Sequence, residues 1–254
     1  MINKNSNIFL AGHNGMVGSA ILRKLKEKKF LNIIKFNKKE LDLTNQRNVI
    51  NFFSIHKIDS VILAAAKVGG IIANNTYRSE ILYENLMIQS NMINASFKNG
   101  IKDFIFLGSS CVYPNTFTRP IKESDLLSNY LEKTNEPYAI AKIAGLIMCD
   151  SFNKQYKRDY RVVMPTNLYG PGDNFHSCNS HVIPSLISRI NKAKNNKYIT
   201  IYTNSVVNNW FHSTDILLPT IKSLKATSIN GNILEINSKK FIICAGTLES
   251  TRTR

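Results

Sequence analysis

Ile8-Phe9-Leu10-Ala11-Gly12-His13-Asn14-Gly15-Met16-Val17-Gly18 is the stretch that decides the fold of this chain. Its first four residues form a short apolar run suited to a strand. The next seven read G-x-x-G-x-x-G, and from Met16 to Leu25 the apolar residues return at helical spacing, with basic residues toward the far end. Strand, glycine turn and helix in that order leave free backbone N–H groups at a helix N-terminus. The glycines permit a tight turn and a close backbone approach, so the diphosphate of a dinucleotide fits there. Gly12, Asn14, Gly15, Met16, Val17 and Gly18 are therefore candidate cofactor-binding residues, with a purely structural turn as the alternative.

Outward from this unit the chain alternates. Strand-like runs at Ile33–Phe36, Ser60–Ala66, Asp103–Gly108 and Tyr160–Pro165 are separated by helical patterns at Gln46–Ile55, Ser79–Lys98 and Pro137–Gln155. Such alternation predicts an α/β domain whose parallel sheet is covered on both faces. Beyond Pro171 the pattern loosens into a loop, a helix at Ile183–Lys194, a strand-like Ile199–Tyr202, a helix near Asp215–Leu224 and a strand at Phe241–Ala245.

With 254 residues, 43% of them hydrophobic and 20% charged, the chain can bury a sizeable core and fits neither a disordered nor a collagen-like composition. The net charge of +16 suits an anionic partner. The lysines are scattered, however, among many Asn and Ile, a mixture that an A- and T-rich genome also produces. No compact basic block interleaved with aromatics is present, which weighs against nucleic-acid binding. Cys111, Cys149, Cys178 and Cys244 lie far apart without a C-x-x-C pair, so reduced thiols are expected and no metal site or disulfide framework is indicated. No signal-peptide or membrane-span pattern is present, and a soluble cytoplasmic protein is expected.

Two further clusters carry chemistry. About 20 positions beyond the glycines, where an acidic residue would bind a ribose 2′-hydroxyl, the chain offers Lys38 and Lys39, which favours a ribose 2′-phosphate and hence NADP, although Glu40 is close by. Asp42 and Leu43 follow; Asp42 either reaches the adenine or caps the next helix. Tyr138 and Lys142 share a helix face. A nearby ammonium stabilises a phenolate and draws a tyrosine toward useful acid/base strength, and Ser109 at a strand end would hydrogen-bond the same carbonyl. Together the three suit hydride transfer to a ketone.

These residues resemble the extended short-chain dehydrogenase/reductase family. The likeness narrows at Ala64-Ala65-Ala66-Lys67-Val68-Gly69-Gly70-Ile71, Asn74-Asn75-Thr76-Tyr77, Thr134-Asn135-Glu136-Pro137-Tyr138, Met164-Pro165-Thr166-Asn167-Leu168-Tyr169-Gly170-Pro171 and Asn179-Ser180-His181-Val182-Ile183-Pro184. From Ile8 to Arg189 the chain is similar to that family's GDP-4-keto-6-deoxymannose 3,5-epimerase-4-reductases. The resemblance implies a Rossmann-type doubly wound parallel sheet, NADP(H) as cofactor, and epimerisation at C3 and C5 followed by reduction at C4 to give GDP-L-fucose. By position it makes Cys111 the epimerisation base and His181 its acid, with Ser109, Tyr138 and Lys142 as the reductive trio. Ala65, Leu107, Gly108, Lys142, Pro165, Asn167, Leu168 and His181 would complete the cofactor site; Asn179, Arg189 and Tyr202 would touch the GDP-sugar.

The chain departs from the family pattern at several points. Asn14 replaces a basic residue that in relatives helps hold the 2′-phosphate. Tyr202-Thr203-Asn204-Ser205 and Asn208-Asn209-Trp210 stand where relatives have a Trp-Gly-Ser-Gly turn and a substrate-contacting Arg. The resemblance implies a nucleotide domain over 1–171, with 206–235 returning to it, and a shortened substrate lobe from 172–205 and 236–254. It also implies a homodimer through the helices at Ser79–Lys98 and Pro137–Gln155. A degenerate relative that binds NADP(H) without sugar turnover is the main alternative, and a basic nucleic-acid-binding protein the remoter one.

Overall fold

The apolar run at Ile8–Ala11 has a physical reason in two sheet faces. In the computed structural model, which describes residues 3–114, 119–176 and 180–194 and the strands 205–212, 221–228 and 233–237, this run is β1 and all of it is buried. Successive side chains point to opposite faces of a sheet. Ile8 and Leu10 join Ile62 and pack against Ile21, Leu22 and Leu25 of α1 (Met16–Glu27). Phe9 and Ala11 enter the larger core on the other face, beside Val61, Phe104 and Phe106. The Phe9 ring lies 4.6 Å from that of Phe52, centre to centre.

Five parallel strands lie in the order β2-β1-β3-β4-β5: β2 (Ile33–Ile34), β1, β3 (Ser60–Leu63), β4 (Asp103–Leu107) and β5 (Asp159–Val163). The larger core is filled by α2 (Gln46–Ile55), α4 (Arg78–Lys98) and α5 (Glu136–Tyr156), through residues such as Val49, Met92, Ile93 and Cys149. A short helix, α3 (Ile71–Thr76), precedes α4, and α6 spans Val182–Lys194. Helices on both faces make the sheet doubly wound, as expected. The strand order reverses between β1 and β3, and the crevice outside such a reversal is where open α/β sheets bind ligands.

Helix starts follow local chemistry. Asn45 caps α2 by accepting from the Asn48 backbone N–H at 3.1 Å. Asp42 is therefore not the cap; its carboxylate accepts from the Thr44 backbone N–H at 3.0 Å and hydroxyl at 2.8 Å, closing a turn.

Ile221–Ser228 forms a strand, β7, where the spacing predicts a helix as far as Leu224. It pairs antiparallel on both sides, with β6 (Ser205–His212) and β8 (Ile233–Asn237). Ladder partners on both edges outweigh a weak helical spacing in a segment containing Thr227 and two serines. The expected strands at 199–202 and 241–245 lie outside the described residues. Two compact units result, Met1–Asn195 and Asn196–Arg254, and α6 belongs to the first. Among the described residues, no helix is long and apolar enough to cross a membrane.

Candidate active site and cofactor cradle

The glycine turn follows β1 directly. Gly12 has a φ of 85°, and a Cβ there would stand 2.5 Å from the Ala65 nitrogen. A side chain at Gly18 would overlap the Gly12 carbonyl. Both glycines are thus required by the protein's own packing, which brings the β1 turn against the segment leaving β3. Gly15 differs, because a Cβ there would meet nothing nearer than the Gly12 carbonyl oxygen at 3.5 Å, an ordinary contact. Gly15 is also the N-cap of α1, where no side chain caps the helix and no acidic residue occupies the first turn. Asn14 and Gly15 are exposed, Met16 and Val17 half-buried and Gly18 buried. In the same turn the buried His13 Nδ1 lacks a hydrogen-bond partner, and burial, aided by Lys35, lowers the His13 pKa. Uncapped N–H groups, an unfilled glycine and an orphaned ring nitrogen fit a dinucleotide diphosphate laid across this turn.

Lys38 lies in the loop after β2, 3.3 Å from Glu84 of α4, and its side chain is 74% exposed. Leu43 packs on the core, and its carbonyl accepts from Asn91 Nδ2 at 2.9 Å. The Asp42 carboxyl is held below its usual range, chiefly by the Thr44 hydroxyl.

The end of β4 and the start of α5 build the reactive corner. Gly108 is tied to β5 by its N–H to the Val163 carbonyl, 2.8 Å, and a Cβ there would meet the Met164 sulfur at 2.6 Å. Ser109 leads into a single 3₁₀ turn, Ser110–Val112, and its hydroxyl accepts from the Cys111 N–H at 3.4 Å. Pro165 closes the corner by accepting from the Ser110 N–H at 3.2 Å. From α5, Lys142 sends its ammonium to the Leu107 carbonyl, 2.7 Å away, where the residue is only 3% exposed. The ammonium stands 5.6 Å from the centre of the Tyr138 ring and 4.6 Å from that of Phe106.

The electrostatics of this corner differ from the expectation in one respect. Burial, followed by the charge of Cys111, raises the Tyr138 phenol rather than drawing it toward neutrality. Burial also lowers Lys142 to about 8, against a Coulombic pull from Cys111 in the other direction. The Cys111 thiol is raised by burial, a shift that the Ser109 hydroxyl and Lys142 oppose. Desolvation is the largest cause at all three positions, since burial disfavours the charged form of each group: it raises the thiol and the phenol and lowers the ammonium. The Tyr138 phenol is consequently firmly protonated, and Lys142 is a positive neighbour of the Cys111 thiol.

Not every predicted residue joins the corner. His181 precedes α6 with an exposed side chain, and its carbonyl accepts from the Ser185 N–H at 3.1 Å. Among the described residues, no hydrogen bond links His181 to Cys111. Asn167 and Leu168 are exposed, just beyond Pro165. Arg189 is placed on α6 by its backbone, while Asn179 and Tyr202 lie outside the described residues.

Sequence reasoning missed the buried polar residues of α4. Asn85 grips the Lys67 backbone, accepting from its N–H at 2.9 Å and donating to its carbonyl at 2.8 Å. Gln89 donates to the Ala141 carbonyl, directly before Lys142. Amides spaced four apart on a helix face that is otherwise buried are the signal that could have found them.

Comparison with known proteins agrees with this architecture. A GDP-L-fucose synthase of Escherichia coli (strain K12) is 56% identical over 186 residues, covering 73% of this chain and 58% of that protein. GDP-L-fucose synthase 1 of Arabidopsis thaliana is 50% identical over 219 residues, covering 85% of this chain and 68% of the relative. The crystal structure of a GDP-D-glycero-L-gluco-heptose synthase from Campylobacter jejuni, in the presence of NADPH, superposes with a TM-score of 0.73 at 40% identity, covering 76% of this chain and 57% of that one. The chain thus spans less than two thirds of the Escherichia coli protein's length. The profile of the NAD dependent epimerase/dehydratase family matches residues 8–232, and the chain belongs to that family.

Proposed function

We propose that the chain carries the NADPH-dependent chemistry of a GDP-4-keto-6-deoxy-D-mannose 3,5-epimerase and 4-reductase, which forms GDP-L-fucose. The observation that carries the reading is the buried Lys142 ammonium, which among the described residues has a backbone carbonyl but no carboxylate as partner and stands beside Tyr138. A protein retains such a costly charge where the charge has work to do. The glycine turn would hold the cofactor's diphosphate, Lys38 its ribose phosphate, and Ala65, Leu107, Gly108 and Pro165 its remaining length.

The reduced nicotinamide supplies a hydride to the substrate ketone. Tyr138, kept protonated by burial, donates its proton to the ketone oxygen as that oxygen becomes an alkoxide, and Lys142 stabilises the phenolate left behind. Ser109 hydrogen-bonds the same oxygen. Epimerisation comes first, because the C4 ketone acidifies the C–H groups at C3 and C5 and reduction removes that activation. Cys111 takes the proton on one face of the sugar, and His181 returns one on the other. Arg189, Asn179 and Tyr202 hold the GDP-sugar. The protein acts in the cytoplasm as a homodimer; exposed Tyr83 of α4 and Ile140 and Ile147 of α5 support pairing through this helix pair.

Incubation with NADPH and GDP-4-keto-6-deoxymannose, followed by product identification, tests the reading; binding of NADPH without turnover would instead support a degenerate relative. Tyr138→Phe is expected to lower NADPH oxidation by roughly 10²- to 10⁴-fold while leaving the NADPH Kd within about twofold. Unchanged turnover would remove Tyr138 from the mechanism. Cys111→Ser should slow solvent deuterium entry at C3 and C5 more than reduction of a pre-epimerised ketone. The two half-reactions should also separate with pH. Reduction falls as Lys142 loses its proton above about 8, whereas exchange rises with pH because the Cys111 thiol is held above its ordinary value. Parallel profiles would contradict this division of roles.

A further inference from the structure

Glu84 of α4 lies between two lysines from different loops. Its carboxylate meets Lys67 Nζ at 2.5 Å and Lys38 Nζ at 3.3 Å, while its own side chain is 23% exposed. The two contacts are unequal. Asn85, the next residue on α4, clamps the Lys67 backbone through both its N–H and its carbonyl, so the Lys67–Glu84 pair is tethered. Lys38 is longer in contact and 74% exposed. Both lysines lower the Glu84 pKa, so its carboxylate is ionised at neutral pH.

The location gives the trio its meaning. Lys38 follows β2, where Rossmann-type sheets recognise the adenosine ribose. Lys67 leaves β3 two residues after Ala65, which abuts Gly12 of the glycine turn. A phosphate arriving at Lys38 must therefore replace a carboxylate that already occupies that ammonium, and the two anions then remain near each other.

We propose that Glu84 and Lys67 set the discrimination between a ribose 2′-phosphate and a ribose 2′-hydroxyl at this site. Lys38 exchanges its carboxylate for the phosphate, and Lys67 holds Glu84 neutralised where it is. Glu84 moderates the preference for NADPH, and Lys67 protects that preference. This rests on the dinucleotide reading above.

The test is direct binding of NADPH and NADH to the full chain, followed by nucleotide fluorescence at low salt. Glu84→Gln keeps the side chain's shape and is expected to tighten NADPH about fivefold, as for removal of one like charge several ångströms away in a partly solvated site, with NADH changed by less than about twofold. Lys67→Met should weaken NADPH about fivefold and NADH little, because Glu84 then faces the phosphate unscreened. The double variant should return NADPH affinity to within about twofold of the Lys67-containing parent, and the effects should shrink at high salt. Equal shifts for both dinucleotides, or none in a protein that prefers NADPH, overturn the inference alone. Binding of neither dinucleotide overturns the parent reading and this inference with it.

Discussion

Lys142→Met is expected to make the ligand-free protein more stable and to slow the proposed reduction severely. Lys142 is 3% exposed, and burial lowers its pKa from 10.5 to about 8. Keeping it charged at neutral pH therefore costs about 3 kcal/mol. Methionine fills similar space without charge, but leaves the Leu107 carbonyl without its donor, a loss of about 1 kcal/mol. The net gain of about 2 kcal/mol should raise the thermal midpoint by roughly 5 °C. The proposed reduction should fall by about 10²-fold or more, since in that mechanism the phenolate left at Tyr138 loses its counter-charge.

The pH dependence isolates the cause. Below about 8 Lys142 is protonated in both the folded and unfolded states, and the full burial cost is present. Between about 8 and 10.5 the unfolded state binds more protons, so folding stability rises with pH. Above 10.5 both forms are neutral and the cost has vanished. The stability advantage of Lys142→Met should therefore be constant up to about pH 8 and shrink steadily beyond it. An advantage that is absent at pH 7, or flat through pH 10, would show that the ammonium is not strained by burial and would weaken its assignment to catalysis.

Parts of this corner were legible in the sequence, for reasons that differ from residue to residue. Tyr138 and Lys142 are four apart on a helix, so local periodicity alone places them together. β1 and its glycine turn were likewise readable, because an apolar run buried on two faces and a G-x-x-G-x-x-G turn are both local signals. The Leu107 carbonyl that receives Lys142 is 35 residues away in sequence and has no side-chain signature. Glu84 meets Lys38 across 46 residues, through the rotation of α4 about its axis. That rotation is hard to read because Asn85, Gln89 and Asn91 occupy buried positions where apolar residues would normally mark the inner face. The Tyr138 shift was misjudged in sign because sequence reveals the neighbouring charge but not the depth of burial. Beyond Pro171 the periodic signals weaken, and the Ile221–Ser228 strand emerges only from pairing with its neighbours.

The glycine turn separates two roles that a sequence motif merges, and a pair of substitutions should pull them apart. Gly12→Ala forces an L side chain to a φ of 85° and drives its Cβ to 2.5 Å from the Ala65 nitrogen. Backbone on both sides leaves nothing flexible to yield, so the expected loss is about 3–5 kcal/mol, enough to unfold a marginal domain or shift its denaturation midpoint severely. Gly15→Ala adds the same methyl where the nearest atom is 3.5 Å away, in an ordinary backbone conformation with φ −74°. Its folding stability should change by less than about 1 kcal/mol, since only a helix N-cap glycine is altered. Its NADPH Kd should nevertheless rise by at least about tenfold, because in the proposed cradle the methyl would stand where the diphosphate approaches the N–H groups of α1. Chemical denaturation and dinucleotide titration on the two variants give the decisive comparison. If Gly15→Ala binds NADPH as tightly as the parent, the turn is a packing device for β1 and β3 and the cradle must be sought elsewhere on the sheet.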